Sequence, residues 1–285
     1  MNILTAAQIN DNSNNIDLGQ LQINVTSARN AFPITDATIS ISYTGANGTI
    51  LEQVRTNSSG QTEVLDLAAP PLEYSLNPNN EIRPYSVYTL DITAPGFEPV
   101  SIAGTEILPD VTALQNVTLN PSEPNEVSEE QFVIPGHTLY EEYPPKIPEP
   151  EIKPLRETGE IVLSRVVVPE YIVVHNGRPN DASAQNYYVK YKDYIKNVAS
   201  SEIYATWPIN TIRANVLAIM SFTLNRVYTE WYRNQGFDFT ITSSTAFDHK
   251  WIPERNYYDT ISVIVDELFT NYLSRPNVRQ PILTQ

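Results

Sequence analysis

Eight prolines (Pro121, Pro124, Pro135, Pro144, Pro145, Pro148, Pro150 and Pro154) fall within residues 120–158, among nine acidic side chains. Proline fixes φ and withholds a backbone donor, so neither a helix nor a central strand should run through this stretch. The 285-residue chain is thereby divided into two parts, each long enough for a core of its own. Residues 120–158 are expected to be an extended, semi-rigid linker with exposed backbone, the kind of segment that proteases cut.

Before it, residues 19–119 read as all-β. Leu21, Ile23 and Val25 alternate with polar residues, as do Ile39, Ile41 and Tyr43, the period of a half-buried strand. Further strand-like runs are Thr62–Leu67, Tyr85–Thr93, Pro99–Ile102 and Thr112–Leu119. Turn chemistry separates the runs at Gly45–Gly48, Asn57–Gly60 and Pro95-Gly96. Short strands at this spacing predict an antiparallel β-sandwich, preceded by a tail over 1–18. The run Pro-Ile-Thr-Asp-Ala-Thr-Ile-Ser-Ile at 33–41, followed by Ser-Ser-Gly-Gln-Thr at 58–62, resembles carboxypeptidase-regulatory-like sandwich modules. That resemblance bears on fold and carries no chemistry.

After the linker, a second domain over 159–285 mixes strand and helix signals. Glu160–Val168, Tyr171–His175 and Tyr187–Tyr191 read as strands, and helical signal takes over from Asp193. Ile212, Val216, Ile219, Leu224, Val227 and Trp231 recur at helical spacing, with Pro208 placed in the first turn. A last helix is expected over 259–274, and the architecture as a whole is α+β and multidomain.

Charge narrows the function classes. Of the net charge of −15, residues 1–118 carry −9 and 119–160 carry −7, while 161–285 carry +1. An acidic front half lacks the basic stripe that nucleic acid requires. No apolar run is long enough to span a bilayer, and the first residues lack the basic start and apolar core of a standard export signal. Without cysteine, disulfides and thiolate metal sites are excluded.

The candidate chemistry centres on Glu202, a lone carboxylate with Ile203, Tyr204 and Trp207 around it, before the long helix. An apolar setting raises a Glu pKa toward the range useful to a general acid. On pattern alone, a Glu in this place more often caps or charges a helix start. A glycosidase of the ordinary kind also needs a second carboxylate, and Asp193, Asp248 and Glu254 could serve only if the fold brought them close. One carboxylate suffices if a substrate hydroxyl replaces water. His137, His175 and His249 are too scattered to suggest zinc, so no metal or cofactor is expected.

Residues Asp193–Thr223 resemble the signature of the SpoIID/LytB family of peptidoglycan lytic transglycosylases. Tyr194-Ile195, Val198, Glu202, Trp207-Pro208, Ile212-Arg213-Ala214-Asn215, Ala218 and Ser221-Phe222 fall in its register. The resemblance implies a helix-rich catalytic domain with Glu202 as acid/base, cleaving the MurNAc-GlcNAc bond to a 1,6-anhydro product. It also implies substrate contacts at Trp207, Asn215, Ser243, Thr245 and His249, the last three within Thr242–His249, which resembles the family's groove segment. Asn215 stands where Gln is usual, Met220 where Arg is, and His249 where Gln is common. The family continues past its second helix whereas this chain stops at Gln285, which implies a C-terminally incomplete groove.

Sandwich, linker and closing domain together resemble the clostridial spore cortex-lytic enzymes of the SleC type. That resemblance implies spore localisation, glycan strands as partner, and an activating protease acting at the linker. The alternatives are a non-catalytic wall-binding or spore-structural protein, and an N-acetylmuramoyl-L-alanine amidase.

Overall fold

The computed structural model describes residues 16–28, 31–46, 49–122, 129–140, 142, 144–152 and 165–283. The chain forms two compact units. The first comprises the residues up to Gly136, together with Tyr204–Trp207 and Pro253–Thr260; the second holds His137–Ile203, Pro208–Ile252 and Ile261–Gln285.

The first unit is built on β1 (Asp17–Ser27), β2 (Thr38–Tyr43), β3 (Ile50–Arg55), β4 (Leu65–Ala69), β5 (Ser86–Thr93), β6 (Val100–Ile107), β7 (Thr112–Leu119) and β8 (Glu130–Val133). A single-turn helix, α1 (Glu73–Leu76), follows β4. One sheet runs β3-β2-β5-β6-β8 and the other β12-β7-β1-β4, where β12 is Tyr257–Tyr258. Strand alternation does what it predicts: Leu21, Ile23 and Val25 of β1 and Ile39 and Ile41 of β2 are fully buried.

The pairing is not purely antiparallel. β1 runs parallel to β7, Gln20 opposite Thr112 through Ser27 opposite Leu119, and β8 runs parallel to β6. Side-chain alternation reports which face of a strand is buried and is silent on strand direction. The turn at Asn57–Gly60 needs its glycine: Gly60 has φ +73°, and a Cβ there would lie 2.5 Å from Val25 O. Of the turn expected at Gly45–Gly48, residues 47–48 lie outside the described ones, as do 1–15 of the expected tail.

The second unit carries a three-stranded sheet, β10-β9-β11, formed by β9 (Tyr171–His175), β10 (Asn186–Lys190) and β11 (Ile241–Thr242). Its helices are α2 (Tyr191–Glu202), α3 (Ile209–Tyr228) and most of α4 (Asp259–Leu268). Helices thus share this unit with a sheet and long irregular segments, so it is mixed α+β and not helix-rich. Ile212, Val216, Ile219 and Leu224 of α3 are buried as their spacing predicts. Pro208 stands just outside α3, immediately before Ile209. α4 ends at Leu268 and not at 274, and Leu273 is 40% exposed. Of the strand expected over Glu160–Val168, residues 160–164 lie outside the described ones and 165–168 are not in a strand.

Much of the expected linker is built into the two units. Residues 130–133 form β8, and Ile134 and His137 are buried. Further on, Ile147 N–H donates to Ala246 O at 2.6 Å. Proline forbids regular structure in 144–150 but leaves the side chains between prolines free to anchor, and Lys146 and Glu149 do so. Residues 123–128 and 153–158 lie outside the described ones.

Candidate functional site

Glu202 is the last residue of α2, not a residue at the entrance of α3. Its carboxylate therefore stands at a helix C-terminus, where the partial charge of the free carbonyls opposes a negative group. Burial acts in the same direction and more strongly, raising the pKa from 4.5 to about 7. Three things hold it back from rising further: the Lys250 backbone N–H, which donates to Oε1 at 2.8 Å, and the nearby charges of Lys146 and Lys250. A carboxyl group poised near neutrality can both give and take a proton.

The Lys250 amide is placed by a side-chain clamp one turn and more up α2. Asn197 Nδ2 donates to Ile252 O at 2.7 Å, and Ile252 N–H returns a bond to Asn197 Oδ1 at 3.0 Å. The segment is pinned again at Asp248, which is fully buried. Asp248 Oδ2 accepts from Tyr232 OH at 2.7 Å, from Thr242 N–H at 2.9 Å and from Thr242 Oγ1 at 2.6 Å. Its Oδ1 accepts from Arg226 Nε at 2.6 Å. With both oxygens engaged, Asp248 organises the 242–250 segment.

Arg226, only 1% exposed, holds the network from α3. Its two terminal nitrogens clasp Glu149, Nη1 to Oε2 at 2.8 Å and Nη2 to Oε1 at 2.5 Å, and Nη2 also donates to Phe247 O at 3.0 Å. Paired carboxylates hold the guanidinium above its ordinary range against the opposing effect of burial. Lys146 donates to Asp248 O. Burial pulls its ammonium below the usual lysine range, while Glu202 and Asp248 act against that pull. Neither Lys146 nor Glu149 carries a local sequence signal for this role, since both lie in the stretch that reads as linker. Arg226 lies within α3 and Tyr232 past its end, and neither belongs to the apolar repeat that marks the helix.

Of the three carboxylates considered as partners for Glu202, Asp193 and Asp248 share its unit and Glu254 does not. Asp193 lies nine residues earlier on the same helix, about 14 Å along the axis. Asp248 is engaged by Arg226, Tyr232 and Thr242. Glu254 belongs to the sandwich unit, where burial first and Glu130 second raise its pKa to about 7.

Of the groove residues the resemblance implies, His249 joins the network around Glu202. It is 4% exposed, its Nδ1 lies 3.2 Å from Tyr194 OH, and its ring lies 4.4 Å from that of Phe222. Burial, then the charges of Lys146 and Arg226, hold it well below the usual histidine range. Ser243 Oγ lies 2.9 Å from Asn176 Oδ1, and Thr245 is partly buried in the following turn. Asn215 donates to Thr211 O, one turn back on α3, at 2.9 Å. Trp207 belongs to the sandwich unit, where its indole N–H donates to Ser75 O at 3.0 Å and its ring meets Tyr204 edge-on.

The histidines are engaged separately. His137 lies between Ile203 O and Leu139 N–H, and His175 between Asn186 and Arg178 O. Among the described residues no group of three His, Cys, Asp or Glu side chains converges to hold a metal ion, and no helix is long and apolar enough to cross a membrane.

No family model and no curated protein matches the chain. Among solved structures, it is similar over 37% of its length to 3-chlorocatechol 1,2-dioxygenase from Rhodococcus opacus, covering 60% of that chain, at 13% identity and TM-score 0.26. A second likeness is to 5-hydroxyisourate hydrolase from Klebsiella pneumoniae, at 18% identity over 36% of this chain and 92% of that one, TM-score 0.25. A third is to a minor pilin of Streptococcus agalactiae, at 11% identity over 40% and 49%, TM-score 0.26. At such identities and scores they carry no argument about chemistry.

Proposed function

We propose that the second unit cleaves peptidoglycan glycan strands by lytic transglycosylation, with Glu202 as the single acid/base. The observation that carries this reading is a carboxyl group titrating near neutrality while the other carboxylates of its network, Asp248 and Glu149, are engaged by Arg226. One acid is then available, and the chemistry must use it twice. Glu202 gives its proton to the glycosidic oxygen as the bond from muramoyl C1 breaks. The resulting carboxylate takes the proton of the muramoyl 6-hydroxyl as that oxygen bonds to C1, which closes a 1,6-anhydro ring. The proton returns to Glu202 and no water is consumed. The resemblance of Asp193–Thr223 to the SpoIID/LytB signature supports the same reading, with a helix-containing catalytic fold, spore cortex as the setting and the sandwich as a targeting or pro-region.

Mass spectrometry of cortex fragments tests it. Wild type should release anhydromuramoyl products, and Glu202→Gln should release none. Products with ordinary reducing-end muramic acid would overturn the transglycosylase mechanism. A non-catalytic wall-binding role is favoured by one observation, the Lys146 ammonium beside Glu202, which stabilises the ionised form that cannot protonate a leaving group. Pelleting with insoluble peptidoglycan without release of any muropeptide would select that role.

A further inference from the structure

We propose that the Arg226 guanidinium is a ligand-carboxylate receptor, and that Glu149 occupies it in cis. Asp248 takes Nε, which leaves the two terminal nitrogens to face a single carboxylate in fork geometry, as they face Glu149. The segment that delivers Glu149 is not built as a core element. Pro144, Pro145, Pro148 and Pro150 are exposed and Ile147 is 50% exposed, while Lys146 and Glu149 turn inward. A stretch that turns its charges inward and leaves its isoleucine half exposed is docked by polar recognition, in the manner of a bound peptide.

Beside Glu149 and Arg226 lies a cavity of about 200 Å³, walled by Pro179, Trp231, Tyr232, Phe237 and Phe247. Aromatic walls next to a guanidinium fit a carboxylate borne on a ring or a short apolar body. The cation already lies over Phe222, Trp231 and Tyr232, at 4.8, 5.6 and 5.4 Å from the ring centroids. Resting on the reading of Glu202 as a glycan acid, the ligand class is the acidic part of peptidoglycan: the lactyl carboxylate of muramic acid or a carboxylate of its stem peptide. The same segment places Lys146 by Glu202, so its docking presents opposite charges to the two ends of one network.

Binding to the full-length protein tests this without requiring turnover. Titrations of wild type and Glu149→Ala with N-acetylmuramic acid, L-alanyl-D-glutamate and N-acetylglucosamine are followed by calorimetry. A tethered carboxylate competes at roughly millimolar effective concentration, so its removal should tighten one of the two acidic ligands by about tenfold or more. The lactyl source predicts the gain with the sugar acid, the stem source with the dipeptide, and neither predicts any with N-acetylglucosamine. The gain should persist in Glu202→Gln, which separates this proposal from the catalytic one. A folded Glu149→Ala that binds both acids no better than wild type, or that gains equally for N-acetylglucosamine, overturns it and leaves a purely structural ion cluster. Glu149→Gln, which keeps one acceptor for Arg226, carries the same test if Glu149→Ala does not fold.

Discussion

Replacing Glu202 by Gln should change how stability depends on pH more than stability at any one pH. The carboxyl titrates at 4.5 when unperturbed and at about 7 in the folded protein. At roughly 1.4 kcal/mol per pH unit, that difference corresponds to about 3 kcal/mol. Between the two values the folded protein keeps a proton that the unfolded chain has released. Folding then takes up a proton, and stability falls as pH rises. Glu202 thus contributes no penalty below about pH 4.5 and the whole penalty above about pH 7, whereas glutamine contributes none at either end.

The assay is urea denaturation of wild type and Glu202→Gln between about pH 5 and pH 8, read by the fluorescence of Trp231 and Trp251 in the same unit. Wild type should lose most of that 3 kcal/mol relative to the variant across the range. Glu254, whose pKa is also raised to about 7, titrates in both proteins and cancels in the difference. Parallel stability curves would refute the reasoning, because they would mean that the carboxyl is solvated and ionised at neutral pH.

Lys146→Met removes a cation that favours ionised Glu202, so the carboxyl should titrate higher by about one pH unit, as read by carbon-13 carboxyl NMR. In the sandwich unit, Arg255 clasps Glu106 through Nη1 at 2.9 Å and Nη2 at 2.5 Å, with both side chains buried. Arg255→Met should destabilise by about 3–5 kcal/mol in thermal or urea unfolding, and adding Glu106→Leu should recover much of it. Gly19→Ala places a Cβ 2.1 Å from Leu108 O within β1, so loss of about 1–3 kcal/mol or more is expected by calorimetry. Cortex digestion by Glu202→Gln, giving no anhydromuramoyl product, completes the set.

The strands were legible wherever one face is buried and the other wet. Thr112–Leu119 carries the bounds that period-2 alternation predicts, whereas Tyr171–His175 reads as a strand without alternating and is buried from Ile172 to His175. β3 was missed because its residues are mostly exposed on both faces and show no alternation. The limits of α2 were misplaced because Tyr191 and Lys192 continue directly from β10 with no capping side chain to mark the change. Glu202 was legible as a candidate through its apolar neighbours, yet its place at the end of α2 and not at the start of α3 was not. Arg226 looked unremarkable for another reason: its value depends on Asp248, 22 residues on, and Glu149, 77 residues back.

By itself the sequence determined that a β-rich front half precedes a mixed second part and that cysteine chemistry is excluded. Those conclusions follow from composition and from side-chain periodicity, which act over a few residues. Tertiary structure alone decided strand direction in the sandwich, the docking of 144–150, the influence of the Lys146 charge on Glu202 and the pairing of Glu149 with Arg226. The reason is physical: proline removes backbone donors but says nothing of where the intervening side chains go. Coulomb attraction across a buried network depends on distances that only the folded chain creates.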